Sequence, residues 1–173
     1  MTNEGTRALL ESSLAREVLD LLTVHSEYSD SKIAALCGSE EARVKEIRKG
    51  LEEAGIILGY GAIVNWNQTR IEAVTGLIEV RVTPQRNRGF DSIAKRLYNF
   101  PEVSSCYLMS GVYDLLVTVN GDNLREVARF VSEKISAIDS VLSTRTHFIL
   151  KVYKMNDHIL EPVEEDGRET VVL

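Results

Sequence analysis

The residues best able to do chemistry are gathered in one stretch, YLMSGVYDLLVTV (107–119). It has apolar runs on either side of Ser110-Gly111, a tyrosine at 113 and a lone acid, Asp114, just past the break. Two readings stand side by side. In the plainer one, Ser110-Gly111 is a two-residue hairpin turn that asks for positive φ, Asp114 bonds to neighbouring backbone and Tyr113 packs at an interface. In the other, the stretch is a ligand-binding loop. The remaining reactive residue types are dispersed. His25, His147 and His158 fall in a helix, a strand and the tail, with no acid/base dyad visible between them. Cys37 and Cys106 are far apart and lack CxxC or Cys/His spacing, so they read as small buried hydrophobes in a reducing compartment. No catalytic residue, metal ligand or cofactor follows from this set.

The rest of the chain must position that stretch. At 173 residues, with 44% apolar and 27% charged, it has the composition of a packed soluble protein and room for two unequal domains. No run approaches the ~20 apolar residues of a membrane span, and MTNEGTRALLESS lacks the pattern of a signal peptide. A cytoplasmic location without membrane contact is expected. The formal net charge is −6, and Lys+Arg against Asp+Glu runs 7 to 11 over 1–60, 11 to 9 over 61–153 and 2 to 6 over 154–173. No segment is basic enough for tight nonspecific binding to nucleic acid, which depends on phosphate neutralisation.

The first sixty residues read as three helices. Leu14, Val18, Leu21 and Leu22 fall at helical spacing behind Ser12 and Ser13, either of which can cap. In SDSKIAALCGS, Ser29 or Asp30 caps a second helix with Ile33, Ala34 and Leu36 inward, and Gly38 ends it. Ser39 is expected to cap a third, with Val44, Ile47 and Leu51 on its buried face and Gly55 beyond its end. Ala42, Lys45, Glu46, Lys49 and Glu53 then face outward, with Arg43 at the flank. Two helices around a tight glycine turn form a helix-turn-helix pattern. IILGYGAIVNW (56–66) alternates like a two-stranded wing or a connecting strand. Ser29, Ser31, Ser39, Arg43, Lys45 and Lys49 are the candidate DNA contacts, since a third helix of this kind enters the major groove by its N-terminal end. Glu40 and Glu41 must then face away from phosphates or accept from cytosine amino groups.

After Trp66 the period changes. VTGLIEVRVTP (74–84) reads as a strand, QRNRG as a loop, and FDSIAKRLYNF as a helix with Phe90, Ile93, Ala94, Leu97 and Tyr98 at helical spacing. The 107–119 stretch supplies two strands. Asp122 is expected to cap a long helix with Leu124, Val127, Ala128, Val131, Ile135 and Ile138 inward. LSTRTHFILKVYK closes as a strand, with Thr144, Thr146, Phe148, Leu150 and Val152 on one face and Arg145, His147, Ile149, Lys151 and Tyr153 on the other. The order βαββαβ is that of a ferredoxin-like domain. The expected class is therefore α+β: an N-terminal winged helix-turn-helix (1–60), a connecting strand or linker (61–73), a C-terminal ferredoxin-like βαββαβ domain (74–154) and an acidic, mobile tail (155–173). Leu77 and Leu116 place apolar residues on the sheet face away from the helices, which calls for a partner, most simply a second copy.

The helix-turn-helix, the GYGAIVN strand, the βαββαβ order, the hairpin YLMSGVYDLLV and the closing STRTHFILK together resemble the Lrp/AsnC family of transcriptional regulators over roughly residues 12–154. VTPQRNRGFDSIA and YLMSGVYDLL look closest to a subgroup associated with amino-acid metabolism. The resemblance implies double-stranded DNA as partner, homodimers that assemble to tetramers or octamers, and an amino-acid effector bound at subunit contacts. It places the effector motif on Gly111, Tyr113 and Asp114, with Met109 and Ser110 beside it and Thr144, Thr146 and His147 in the last strand. Glycine N–H groups would hold the carboxylate and Asp114 would accept from the α-ammonium. The chain departs from the family pattern at Ile47-Arg48, and it carries Gly50 inside the third helix; Arg48 is expected to run along the core edge.

Two alternatives remain at this level. One is a ligand sensor or assembly module without DNA binding; the other is an enzyme resembling the haem-precursor decarboxylases that share this architecture. The reading adopted is a regulator and not an enzyme.

Overall fold

Ser12 holds an extended backbone (φ −72°, ψ 124°), and its Oγ accepts from the Ala15 N–H at 3.5 Å, which opens α1 (Ser13–Val24). The computed structural model describes residues 12–69, 71, 73–83 and 89–160. The chain divides into two compact units between Val64 and Asn65, inside the stretch expected to be a linker.

In the first unit, Ser29 caps α2 (Asp30–Cys37) by accepting from the Lys32 N–H, and Gly38 ends it in the left-handed region at φ 62°. Ser39 is not the cap of α3 (Glu41–Glu53). Its N–H is drawn back to the Ala34 carbonyl at 2.9 Å to finish the glycine turn, so Glu40 occupies the cap position without a side-chain bond. Ala15, Val18, Leu22, Ile33, Ala34, Val44, Ile47 and Leu51 form the core. Leu36, expected inward, is exposed, because it stands ~200° around the short helix from Ala34. Leu14 and Leu21 pack only at the core margin. The stretch 57–65 forms no wing strands. Extended backbone needs a neighbouring strand for its N–H and C=O groups, and this unit offers none among its described residues.

The second unit runs β1 (Val74–Val82), α4 (Asp91–Tyr98), β2 (Val103–Leu108), β3 (Leu115–Gly121), α5 (Leu124–Phe130) and β4 (Val141–Phe148). The four strands form an antiparallel sheet in the order β2-β3-β1-β4. This is the ferredoxin-like arrangement read from the sequence. Ile78, Val80, Val82, Leu115, Val117 and Val119 meet Ile93 and Leu97 of α4 and Val127 of α5 in one core, so both helices cover the same face. Val127 can approach only because the strands beneath it carry glycine. A Cβ on Gly76 would lie 2.9 Å from its Cγ1, and one on Gly121 2.9 Å from its Cγ2.

Several details depart from expectation. Asn123, not Asp122, caps α5: its Oδ1 accepts from the Glu126 N–H at 3.0 Å, while Glu126 Oε2 accepts from the Asp122 N–H at 2.9 Å. Leu124 and Ala128 are exposed. After Phe130 the helix widens to π geometry over Val131–Ile135, with Ser136 N–H donating to the Val131 carbonyl. The wider turn keeps Val131, Ile135 and Ile138 on the sheet. Tyr98 stands exposed at the end of α4.

The last strand stops at Phe148, and Leu150 is 94% exposed. Part of the expected tail is structured. β5 (Lys154–Met155) and β6 (His158–Ile159) pair across Asn156-Asp157, whose φ values of 45° and 66° suit a tight hairpin turn. Leu160 is buried, and Asn65 Nδ2 donates to its carbonyl at 2.8 Å. Residues 161–173, the remainder of the expected mobile tail, and most of the QRNRG loop lie outside the described residues.

Candidate functional site

Two regions collect the candidate residues. On α3, Arg43, Lys45 and Lys49 are all exposed, as the buried stripe Val44, Ile47 and Leu51 requires. Arg43 is held by Glu46 at 2.6 Å and Lys49 by Glu53 at 3.6 Å, while Lys45 makes no ion pair among the described residues. The outward face is therefore largely charge-compensated. Ser29 and Ser31 share a 2.9 Å hydroxyl contact at the start of α2. Ser39 sits half-buried in the turn between α2 and α3.

The hairpin is longer than a two-residue turn. Met109 N–H donates to the Asp114 carbonyl at 2.8 Å, leaving 110–113 as the loop. Asp114 is pulled toward β1 by two bonds: its N–H donates to the Val80 carbonyl at 3.1 Å, and its Oδ2 accepts from the Val82 N–H at 2.8 Å. One carboxylate oxygen thus serves backbone, as the plainer reading has it, and Oδ1 has no partner among the described residues. Gly111, at φ 157°, has open space where a Cβ would stand. Ser110, Gly111 and Val112 are exposed, and Tyr113 is half-buried.

Within one chain the structure does not bring the last-strand residues to this loop. Val80 pairs with Leu115 on one side and Thr144 on the other, so Thr144 lies two strand spacings, roughly 10 Å, from the end of the hairpin. Thr146 shares the helix-covered side with Thr144, whose Oγ1 lies 3.5 Å from Ser136 Oγ. His147 projects from the opposite side, where its Nε2 lies 3.0 Å from Glu79 Oε1. Arg145 approaches the same carboxylate at 3.8 Å. The open sheet face therefore carries a polar band of Glu79, Arg145 and His147 beside the apolar Leu77, Tyr107 and Leu116.

Other chemical groups do not converge. His25 ends α1 and stacks on Tyr28 at 4.4 Å, and His158 is exposed in β6. Burial pushes the Cys106 thiol up from its ordinary value; at Cys37 burial acts first and the Glu17 carboxylate adds to it. Both cysteines are half-buried. Among the described residues no three His, Cys, Asp or Glu side chains are grouped to hold a metal ion, and no helix is long and apolar enough to cross a membrane.

Sequence reasoning undervalued Arg48. Only 20% of its side chain is exposed, its Nε lies 3.0 Å from Asp30 Oδ1 and its Nη2 donates to the Tyr28 carbonyl at 2.7 Å. The available signal was an arginine on the margin of an apolar stripe, with a tyrosine twelve residues further on.

A three-helix unit with a glycine turn, joined to a ferredoxin-like domain, defines a two-domain helix-turn-helix regulator architecture. Residues 75–159 match the Lrp/AsnC ligand binding domain. The chain is 46% identical over 156 residues to YugG, an uncharacterised HTH-type transcriptional regulator of Bacillus subtilis (strain 168), covering 90% of this chain and 94% of that one. It is 26% identical over 136 residues to the proline dehydrogenase transcriptional activator of Rhodobacter capsulatus, covering 79% and 88%. The solved structure of the transcriptional regulator NMB0573/L-Met complex from Neisseria meningitidis has the same fold, with a TM-score of 0.66, 19% identity and coverage of 83% and 92%. The chain belongs to the Lrp/AsnC family of helix-turn-helix transcriptional regulators.

Proposed function

We propose that the protein is a sequence-specific DNA-binding regulator of amino-acid metabolism whose affinity for its operator is set by a bound amino acid. The observation that carries this reading is the 109–114 loop. It offers exposed backbone N–H groups around Gly111 for a carboxylate, and the free Oδ1 of Asp114 for an ammonium group. A relative named as a methionine complex and another named for proline dehydrogenase support an amino acid as the effector.

Thr144, Thr146 and His147 stand away from the loop of their own chain, which fits a site completed across a subunit contact. We read the working form as a homodimer that assembles to a tetramer or octamer. Leu108 and Val112, 64% and 80% exposed beside the loop, provide apolar surface for such contacts. Ser29, Ser31, Ser39, Arg43, Lys45 and Lys49 remain the proposed DNA contacts, with Lys45 the cation least engaged within the chain. The acidic Glu46 and Glu53 must release Arg43 and Lys49 as phosphates replace them. The 155–173 stretch enters no part of this assignment.

The relatives are named as regulators and the histidines are scattered, so an enzyme on this fold is the weaker alternative. A sensor without DNA binding draws support from the compensated α3 face. Thermal shift against a panel of amino acids separates these readings from the proposal. One amino acid should raise the melting temperature of the wild type and leave Asp114→Ala unchanged, while Asp114→Ala still binds operator DNA. Stabilisation by an amino acid with no operator binding under any condition would favour the sensor.

A further inference from the structure

Among the described residues of the first unit, Arg48 is the one lysine or arginine that is not exposed. The Arg43 and Lys49 side chains are 58% and 74% exposed, as suits groups that reach a nucleic acid. The Arg48 side chain is 20% exposed and faces Asp30, itself 21% exposed, in the first turn of α2. Its guanidinium also donates to the Tyr28 carbonyl just before the Ser29 cap, and its Cζ lies 5.6 Å from the Tyr60 ring centroid. Tyr60 is anchored to α3 a second time, since its hydroxyl donates to Glu52 Oε1 at 2.8 Å. One planar fork therefore joins three elements: α3, the start of α2, and the segment that follows α3.

The apolar contacts beneath α3 are Val44, Ile47 and Leu51, and apolar packing alone is non-directional. A helix seated only on such a stripe can rotate or slide by fractions of an ångström at little cost. Presentation of side chains to a ligand requires placement within about 0.5 Å. The Arg48 guanidinium supplies the missing direction through its 2.7 Å donation to the Tyr28 carbonyl, with the Asp30 carboxylate 3.0 Å from Nε as its ion-pair partner.

We propose that Arg48 is a positioning residue for DNA recognition: it fixes the rotation of α3 against Asp30 and the Tyr28 carbonyl, with Tyr60 closing over it, and touches no phosphate or base itself. The proposal rests on the DNA-binding reading above. It differs from a mere contribution to stability, which would leave the affinity of the folded protein unchanged.

The test is fluorescence-anisotropy titration of a fragment of the protein's own promoter at several salt concentrations, at a temperature where circular dichroism shows each variant folded. Arg48→Met should weaken binding roughly tenfold, the scale expected for loss of one directional contact. The slope of log affinity against log salt should not change, since no phosphate contact is lost. Arg48→Lys should fail to restore binding, because an ammonium group cannot span both acceptors. Tyr60→Leu, a milder variant on the exposed side, should weaken binding in the same direction with the same slope. Unchanged affinity in folded Arg48→Met overturns the proposal in favour of a purely structural role. A slope reduced by about one overturns it in favour of a direct phosphate contact. Failure of the wild type to bind any promoter fragment instead refutes the DNA-binding reading, and the proposal with it.

Discussion

The two units of the chain are built on opposite plans. Among its described residues the first buries eight under three helices whose ends are set locally, by Ser12, Ser29 and the left-handed Gly38. Among the described residues the second gathers thirteen in its core cluster, drawn from strands and helices far apart in sequence, so loss of one side chain removes a smaller share of that core. In the first, direction comes from a polar clamp at one helix; in the second it comes from strand register. The lesson is that the smaller unit is oriented at few points, whereas the larger is held by many strand and core contacts.

Core truncation is the harshest way to break this comparison. Leu51→Ala and Ile78→Ala, both at fully buried positions, should each cost about 2–5 kcal/mol. Calorimetry should show separate transitions, with Leu51→Ala lowering one and Ile78→Ala the other; a joint shift would mean the two units melt as one. Next in size, Gly76→Ala should destabilise by about 1–3 kcal/mol through its clash with Val127, and adding Val127→Ala should recover part of that loss. Gly38→Ala meets no neighbour within 4 Å, so only its left-handed backbone should count, at about 1–2 kcal/mol by denaturant melting.

Smaller effects sharpen the picture further. Asn123→Ala should cost about 1 kcal/mol and Asp122→Ala less than about 0.5, since only Asn123 caps α5 with its side chain. Smallest of all is the Cys106 thiol. Burial holds it protonated to higher pH than free cysteine, so its reaction with a thiol reagent at mildly alkaline pH should lag a peptide standard and recover on unfolding.

Much of this division was legible in the sequence because its causes are local. Serine caps, the Gly38 turn and the stripe Val44, Ile47 and Leu51 announced the helices of the first unit, and the change to period two announced the sheet. What escaped depends on partners distant in sequence. Residues 57–65 alternate like a strand, yet no strand among the described residues pairs with them. Arg48 finds Asp30 and Tyr28 about a helix-turn-helix away, and no spacing rule marks that meeting. Asn123 and Asp122 are both good caps by residue type, and in the structure Asn123 takes the cap while the Asp122 N–H is bonded to Glu126. The candidate effector site shows both cases. Its loop is continuous in sequence and was visible there, whereas strand alternation already placed Thr144 and Thr146 opposite His147, and the register fixes how far they lie from the loop.

The most direct test of the regulator reading is a titration of the protein onto its own promoter fragment, at two salt concentrations, with and without each amino acid in turn. Specific binding is expected that weakens with salt and is shifted by one amino acid in the wild type but not in Asp114→Ala. Specific binding that no amino acid moves, or an equal shift in Asp114→Ala, would contradict that reading.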